Sequence, residues 1–165
     1  MLRELEALVD MLSISRRNLW RAIESLSPDE LLLRMPGSEW SIKDALAHLG
    51  GNEALMTKAL QNIATGSQES EREFDNEAEN RAQIARGRQE SLAEVLQDLE
   101  ESRRRLLELL DGLNQEQLER RGSHPYQGEM TVREFLTVIF THEETHTREI
   151  VEWARQLKKK DSGQV

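Results

Sequence analysis

The stretch TVREFLTVIFTHEETHTREIVEW, residues 131–153, decides the fold of this chain. Thr131 and Glu134 match a capping box, and Met130 and Phe135 match the hydrophobic staple that often accompanies one. From there the apolar residues recur every three or four positions, which is the period of one helix face. These apolar positions are Val132, Phe135, Ile139, Ile150 and Trp153, and His142 and His146 occupy the two positions of the stripe between Ile139 and Ile150. The pattern predicts a long helix that ends at about residue 153 or 157.

Three more helices are predicted from the same period. The first covers residues 5–26 and is followed by a short helical turn that Pro28 begins. The second, residues 41–66, and the third, residues 91–113, both begin at a capping box. Residues 68–80 between them are acidic and weakly apolar, which predicts a long crossover with at most a helical turn. We identify no convincing strand.

The two halves of the chain resemble each other. A constant shift of 87 positions relates Leu12, Ser15, Arg16, Arg17, Leu19, Leu26 and Leu31 to Leu99, Ser102, Arg103, Arg104, Leu106, Leu113 and Leu118. A shift of 90 positions relates residues 39–44 to residues 129–134. Two similar helical hairpins joined by a long crossover predict an all-α four-helix bundle, in which each half buries the stripe of the other. We expect a single domain over residues 1–157 and a disordered tail over residues 158–165.

Composition limits the partners. The chain has 22 Lys and Arg against 31 Asp and Glu, a formal net charge of -9, and such a surface repels the phosphates of nucleic acid. It contains no cysteine, so any thiol chemistry needs a thiol from outside. No apolar run approaches the roughly 18 residues of a membrane span, and acids already occur in the first turn. We expect a cytoplasmic protein that binds neither nucleic acid nor membrane.

His142 and His146 lie four positions apart, so on a helix their rings share one face about one turn apart. Both interrupt the apolar stripe of the fourth helix, which should point into the bundle. A buried polar group without a partner costs on the order of a few kcal/mol, and a shared divalent metal satisfies one nitrogen of each ring. We therefore predict that both histidines bind a metal.

His48 is the natural third ligand, because it lies about two turns into the second helix beside the inward-facing Leu49. Gly50 and Gly51 follow, and each costs roughly 1 kcal/mol relative to alanine inside a helix, which indicates close approach of a neighbour or ligand. Three histidines leave coordination positions open on zinc, nickel, iron or manganese, which is typical of a catalytic site. For each histidine taken singly, a satisfied core residue is the alternative interpretation.

Residues 142–146 also match HExxH, the zinc-protease helix whose glutamate acts as general base. Such proteases present a strand edge to an extended substrate, and no strand is predicted here, so we interpret the motif as two metal ligands. Glu143 then orients a ligand, accepts a proton or lies on the polar flank of the helix. Asn52, Glu53 and Glu143 are candidates for accepting the outer N–H of the imidazoles.

Two other polar features are interpreted as solvated. His124 precedes Pro125 in a predicted turn, which is typical of an exposed loop residue. The run of arginines at 103–105 is interpreted as an exposed helix face that pairs with glutamates at 100, 101 and 108.

Residues 40–49, WSIKDALAHL, and residues 142–146, HEETH, resemble in order and spacing the DinB-like superfamily of four-helix-bundle metalloproteins. The segment from Phe74 to Leu99 resembles the branch that contains mycothiol-dependent maleylpyruvate isomerase and the bacillithiol transferase relatives. The resemblance implies an up-down-down-up bundle, a nickel- or zinc-type ion on the three predicted histidines, and homodimers. In the characterised relatives the metal activates a low-molecular-weight thiol, which attacks a small electrophile or is transferred to it.

Three functions follow as hypotheses. The first is a metal-dependent thiol S-transferase or isomerase, in which the ion lowers the pKa of a thiol cosubstrate. The second is a metal-dependent hydrolase, in which the ion activates water and Glu143 or another carboxylate accepts its proton. The third is a non-catalytic stress or binding module, which a pocket too small for an organic molecule would favour.

Overall fold

Four long helices form the body of the protein. The computed structural model describes residues 1–67 and 75–161. The elements in chain order are α1 (Arg3–Glu24), α2 (Pro28–Leu31), α3 (Ile42–Thr65), α4 (Asn76–Gln89), α5 (Leu92–Gly112), α6 (Gln115–Leu118), β1 (Arg121–His124), β2 (Gly128–Thr131) and α7 (Val132–Asp161). Helix α1 packs on α7, α3 packs on α5, and α3 also contacts α7. The predicted all-α, up-down-down-up four-helix bundle is confirmed.

The predicted capping boxes begin the long helices. At the start of α3, Ser41 Oγ accepts from the Asp44 N–H at 3.1 Å, and Asp44 Oδ2 accepts from the Ser41 N–H at 2.9 Å. Equivalent reciprocal bonds begin α5 and α7. Helix α3 ends at Gly66, whose φ of 71° lies in the left-handed region that glycine adopts without a Cβ clash. Local sequence thus determines where these helices begin and end.

The internal repeat is confirmed in the order of the elements, because α1, α2 and α3 recur as α5, α6 and α7. The loop before α3 contains a single antiparallel bridge between Arg34 and Ser41. Its counterpart before α7 is the β1–β2 hairpin, in which Arg121 pairs with Thr131. The expectation of no strand is therefore wrong for this segment. The second loop is longer by three residues, and this allows the single bridge to extend into a short two-stranded sheet.

The crossover between α3 and α5 contains a helix of 14 residues, where at most a helical turn was expected. Residues 68–74 of the expected crossover lie outside the described residues, but α4 begins at Asn76 and packs on α3. Its buried positions are Gln83, Ile84 and Gly87, of which only Ile84 is a large apolar residue. Periodicity therefore gave no signal, because the face that packs inward is small and polar.

At the other end of the chain, α7 continues to Asp161, beyond the predicted end at residue 153 or 157. Residues 158–161, which were assigned to the tail, are helical. Residues 162–165 of the predicted tail lie outside the described part of the chain. Within that described part, no helix is both long enough and apolar enough to cross a bilayer.

A polar layer divides the apolar core of the bundle. Along α1, Leu12 belongs to one buried cluster and Leu19 to another, and Arg16 lies between them. Glu53 on α3, Arg103 on α5 and Glu143 on α7 complete the layer, which we call the charge quartet. All four residues are between 3% and 7% exposed, so their charges are removed from solvent together.

The charge quartet follows the internal repeat down to single hydrogen bonds. Arg16 Nε donates to Glu143 at 3.0 Å, and Arg103 Nε donates to Glu53 at 2.8 Å. Arg16 Nη1 also donates to the Leu99 carbonyl at 2.8 Å, and Arg103 Nη1 to the equivalent carbonyl of Leu12 at 3.1 Å. The shift of 87 positions relates Arg16 to Arg103, and the shift of 90 positions relates Glu53 to Glu143. The repeat therefore converts one arginine–glutamate pair into the other. Two acids balance two bases, which is how charges are tolerated in a core.

The arginine run and Glu143 differ from their predicted environments for the same reason. Arg103 is buried in the charge quartet, so only Arg104 and Arg105 lie on the exposed face, where both pair with Glu101. Glu143 lies in the core rather than on the polar flank of α7. A helical period of 3.6 residues sends neighbours in sequence to different faces, so a charged run divides between core and solvent.

His124 was predicted to be solvated, and this prediction is wrong, because its side chain is only 1% exposed. Its ring packs against Phe135 and Tyr126, with centroid distances of 4.4 and 4.6 Å. Its Nδ1 accepts the Tyr126 N–H at 3.2 Å, which fixes the neutral form of the ring. The β1–β2 hairpin folds the residue inward, and sequence alone gave no indication of that hairpin.

Replacing His124 with glutamine should change how stability depends on pH. Burial lowers the pKa of His124 to about 4, whereas an unfolded histidine titrates near 6.5. Between these values the unfolded chain binds more protons, so the histidine makes stability fall as pH decreases from about 6.5 to about 4. We expect the difference in unfolding free energy between wild type and His124→Gln to shrink over this range in urea titrations. A constant difference would show that the ring is accessible to protons in the folded state.

Candidate metal centre

Three imidazoles meet between α3 and α7. His48 Nε2 lies 3.0 Å from His142 Nε2. The ring centroids of His48 and His146 are 5.0 Å apart, and those of His142 and His146 are 4.7 Å apart. One ring nitrogen from each histidine lies within 4.8 Å of the other two. The structure thus brings together the three residues that were predicted as metal ligands.

The spacing of these nitrogens fits a shared ion. Two nitrogens that each lie about 2.0–2.1 Å from one tetrahedral zinc ion are separated by about 3.3–3.4 Å. The observed distance of 3.0 Å between His48 Nε2 and His142 Nε2 is close to this value, and a small rotation of either ring reaches it. Neutral imidazoles suit zinc, nickel, copper and iron, and three of them leave at least one coordination position open. The donor set therefore fits a divalent ion with space for a further ligand.

Hydrogen bonds orient two of the rings. His48 Nδ1 lies 3.0 Å from Gln83 Oε1, and His146 Nδ1 lies 2.9 Å from Glu149 Oε2. An oxygen at Nδ1 keeps the proton there, so the lone pair of Nε2 is available to a metal. Asn52, which was expected in this role, instead donates to Tyr126 Oη at 3.1 Å. The other two candidates, Glu53 and Glu143, accept from the arginines of the charge quartet.

Gln83 was not found from the sequence, although the glycine pair indicated close contact at this place. A Cβ on Gly51 would lie 2.8 Å from Gln83 Cγ, and a Cβ on Gly50 would lie 3.2 Å from the Leu99 backbone. The prediction that a neighbour approaches the two glycines is confirmed. Gly51 leaves the space through which the Gln83 side chain reaches His48, and this explains why a glycine is present inside α3.

Burial keeps two of the three imidazoles uncharged. It lowers the pKa of His48 to about 4 and the pKa of His142 to about 3, and repulsion from His146 adds to both shifts. Both rings are therefore neutral at neutral pH, which is the form that binds metals. Trp40 covers one side of the group, with its ring 4.9 Å from His48 and 6.2 Å from His146.

A pocket of about 570 Å³ adjoins the histidines. Its lining comprises Asn52, Met56, Tyr126, Gln127, Glu134, Thr137, Val138, Ile139, Thr141, His142, Thr145 and His146. The volume is within the range of small-molecule sites. A pocket too small for an organic molecule would favour a non-catalytic module, and this pocket is larger than that.

Replacing Gly87 with alanine should weaken the support of His48. A Cβ at this position of α4 would lie 2.3 Å from the Ala47 Cβ, and neither methyl group can rotate away. We expect a loss of about 1–3 kcal/mol in unfolding free energy from overpacking. Displacement of Gln83 should also weaken zinc binding by about 10–100-fold, the usual effect of losing a partner behind a metal ligand.

The matched control is Gly112→Ala at the end of α5, where a Cβ meets nothing within 4 Å. This variant should be neutral or slightly stabilised and should bind zinc like wild type. Thermal unfolding and zinc titration against a chromophoric chelator measure both effects. Equal behaviour of the two variants would contradict the role of α4.

The bundle and its site together define the class of this protein: a four-helix bundle with three convergent histidines beside a small-molecule pocket. The model of the DinB superfamily matches residues 11–150. The chain belongs to this superfamily, which confirms the resemblance of its two histidine motifs.

Individual relatives share less than a quarter of their residues with this chain over the matched regions. The uncharacterized protein YuaE of Bacillus subtilis (strain 168) is 23% identical over 155 residues, which cover 88% of this chain and 96% of the relative. The structure of YfiT from Bacillus subtilis matches with a TM-score of 0.77 and 19% identity. The match covers 96% of this chain and 90% of YfiT, which is described as a probable metal-dependent hydrolase with an unusual four-helix bundle topology. Mycothiol-dependent maleylpyruvate isomerase has a TM-score of 0.76 and 15% identity, and the match covers 88% of this chain and 60% of that larger one. At these identities the structural matches establish the fold.

Proposed function

We propose that the protein is a metal-dependent enzyme that transfers or uses a low-molecular-weight thiol on a small electrophile. The observation that supports this most is the opening of the three-histidine centre onto a pocket of about 570 Å³. His142 and His146 belong to both the centre and the pocket wall. A molecule in the pocket can therefore reach the open position of a bound ion.

The protein's own residues provide orientation and exclude water. His48, His142 and His146 would hold the ion, which supplies Lewis acidity that favours the thiolate over the thiol at neutral pH. Gln83 and Glu149 fix the tautomers of two ligands, and Trp40 packs against His48 and His146. Because the chain has no cysteine, the thiol is a cosubstrate.

Nickel or zinc is the ion that we propose, because the donor set is three imidazoles without a carboxylate. Iron and manganese are less well matched, since manganese prefers oxygen ligands and the usual open iron site includes a carboxylate. We also propose that the protein forms homodimers, as the resemblance to the superfamily implies. Sedimentation equilibrium tests this assembly directly.

Hydrolysis is the second candidate, and the likeness to a probable metal-dependent hydrolase favours it. Glu143 does not fit the role of general base in that reaction. Arg16 donates to both of its carboxylate oxygens, at 3.0 and 3.1 Å, and the side chain is buried in the charge quartet. Glu149 already accepts from His146, and Glu134 lines the pocket, so these two carboxylates are our candidates for the general base.

The experiment that separates the two candidates uses protein loaded with zinc or nickel. Conjugation of bacillithiol, mycothiol or glutathione to monochlorobimane is followed by fluorescence, and ester, amide and phosphoester substrates are tested without thiol. We expect thiol-dependent turnover that His142→Ala abolishes and the surface variant Glu101→Gln retains. Turnover of the second panel without thiol would instead support the hydrolase, and failure of the loaded protein with all three thiols would contradict the transferase.

A further inference from the structure

The pocket contains the repeat counterparts of the three histidines. The shift of 90 positions relates His142 to Asn52, His146 to Met56, and His48 to Val138. Asn52, Met56 and Val138 all line the pocket of about 570 Å³ that adjoins the histidines. The counterparts of the metal ligands are thus gathered at one place, as the ligands themselves are.

The charge quartet shows that this correspondence is structural. The same shift relates Glu53 to Glu143, and those two residues make matching bonds to Arg103 and Arg16. Asn52 and His142 directly precede these glutamates on α3 and α7. The interface of α3 and α7 therefore has two equivalent sites side by side, one formed by histidines and one without them.

The chemistry of the second site differs from that of the first. Met56 is 2% exposed and provides a soft apolar surface. Val138 adds a branched apolar side chain, and Asn52 with Tyr126 provides a bonded amide and phenol at 3.1 Å. Among the described residues that line the pocket none is lysine or arginine, whereas Glu134 contributes a carboxylate. Such a lining suits an apolar group and disfavours an anion.

We propose that the counterpart site of Asn52, Met56 and Val138 is the specificity site of the enzyme, which holds a neutral, largely apolar group of the substrate while the reacting end faces the histidines. This inference rests on the proposed function, because it takes a metal at the three histidines as its reference point. A carboxylate at the far end of the substrate meets Glu134 and no cation of the pocket wall. The pocket therefore selects against substrates that are anionic at that end.

Three hydroxamic acids test the proposal independently of turnover. Acetohydroxamate reports metal binding alone, benzohydroxamate adds an apolar ring, and 4-carboxybenzohydroxamate adds a distal anion. Binding to the cobalt-loaded protein is measured from the visible spectrum. We expect benzohydroxamate to bind about tenfold or more tightly than acetohydroxamate because its ring is buried, and the distal carboxylate to remove that gain.

A charge variant makes the test specific. Thr137 is exposed on α7 and lines the pocket, so Thr137→Arg places a cation there without disturbing the core. It should raise the affinity for 4-carboxybenzohydroxamate by about tenfold relative to the uncharged control Thr137→Gln, and leave acetohydroxamate unchanged. Equal affinities for the three probes on metal-loaded protein would overturn the specificity site alone. Failure of the protein to take up cobalt would overturn the metal centre, and the specificity site with it.

Discussion

Glu53→Gln is expected to reduce the free energy of unfolding by about 3–5 kcal/mol, as does the removal of one partner from other buried ion pairs. The glutamine keeps the size of the side chain but leaves the two buried arginines, Arg16 and Arg103, to share the single carboxylate of Glu143. Ser102 Oγ also donates to Glu53 at 2.7 Å, so a second buried bond is weakened. Urea unfolding followed by circular dichroism measures the loss.

The repeat makes this prediction unusually specific. Glu143→Gln should cost about as much, because Glu143 meets Arg16 as Glu53 meets Arg103. A surface control is Glu101→Gln, which breaks exposed pairs with Arg104 and Arg105 and should cost less than about 1 kcal/mol. A cost below about 1 kcal/mol for both core variants would mean that water reaches the charge quartet.

Zinc is expected to stabilise the folded protein by about 4 kcal/mol when its free concentration exceeds the dissociation constant about a thousandfold. For a chain of this size that corresponds to a rise of about 8–16 °C in the melting temperature. The physical reason is that the folded state holds three ligand nitrogens within 4.8 Å, whereas the unfolded chain scatters them. Thermal unfolding with and without zinc measures the rise.

The fourth histidine provides the matched control for this prediction. His124 is the remaining histidine of the four in the sequence, and it packs against Phe135 away from the convergent rings. His124→Gln should keep the zinc-dependent rise in melting temperature, whereas His142→Ala should lose most of it. The prediction fails if zinc stabilises the His142→Ala protein as much as wild type.

Features set by local chemistry were predictable from the sequence. Capping boxes such as Ser41 with Asp44 and the helical period identified the four long helices, because both depend on neighbours within one or two turns. The repeat then predicted their arrangement. Spacing on a helix also identified His142 and His146 as neighbours, and the stripe of α3 added His48.

Features that depend on distant parts of the chain were not predictable in the same way. Helix α4 packs through Gln83 and Gly87, which form no apolar stripe, so the residue that orients His48 was missed. Glu53 and Glu143 are buried because they pair with Arg16 and Arg103, and the pattern of a single helix does not reveal those partners. Buried polar residues are identified by their partners, and those partners lie on other helices.

Elemental analysis of protein purified without added metal or chelator tests the central claim most directly. We expect one divalent ion per chain in wild type and in His124→Gln, and almost none in His48→Ala and His142→Ala. Circular dichroism of each sample verifies that the variants are folded. Unchanged metal content in both alanine variants would contradict the assignment of His48, His142 and His146 as the metal centre.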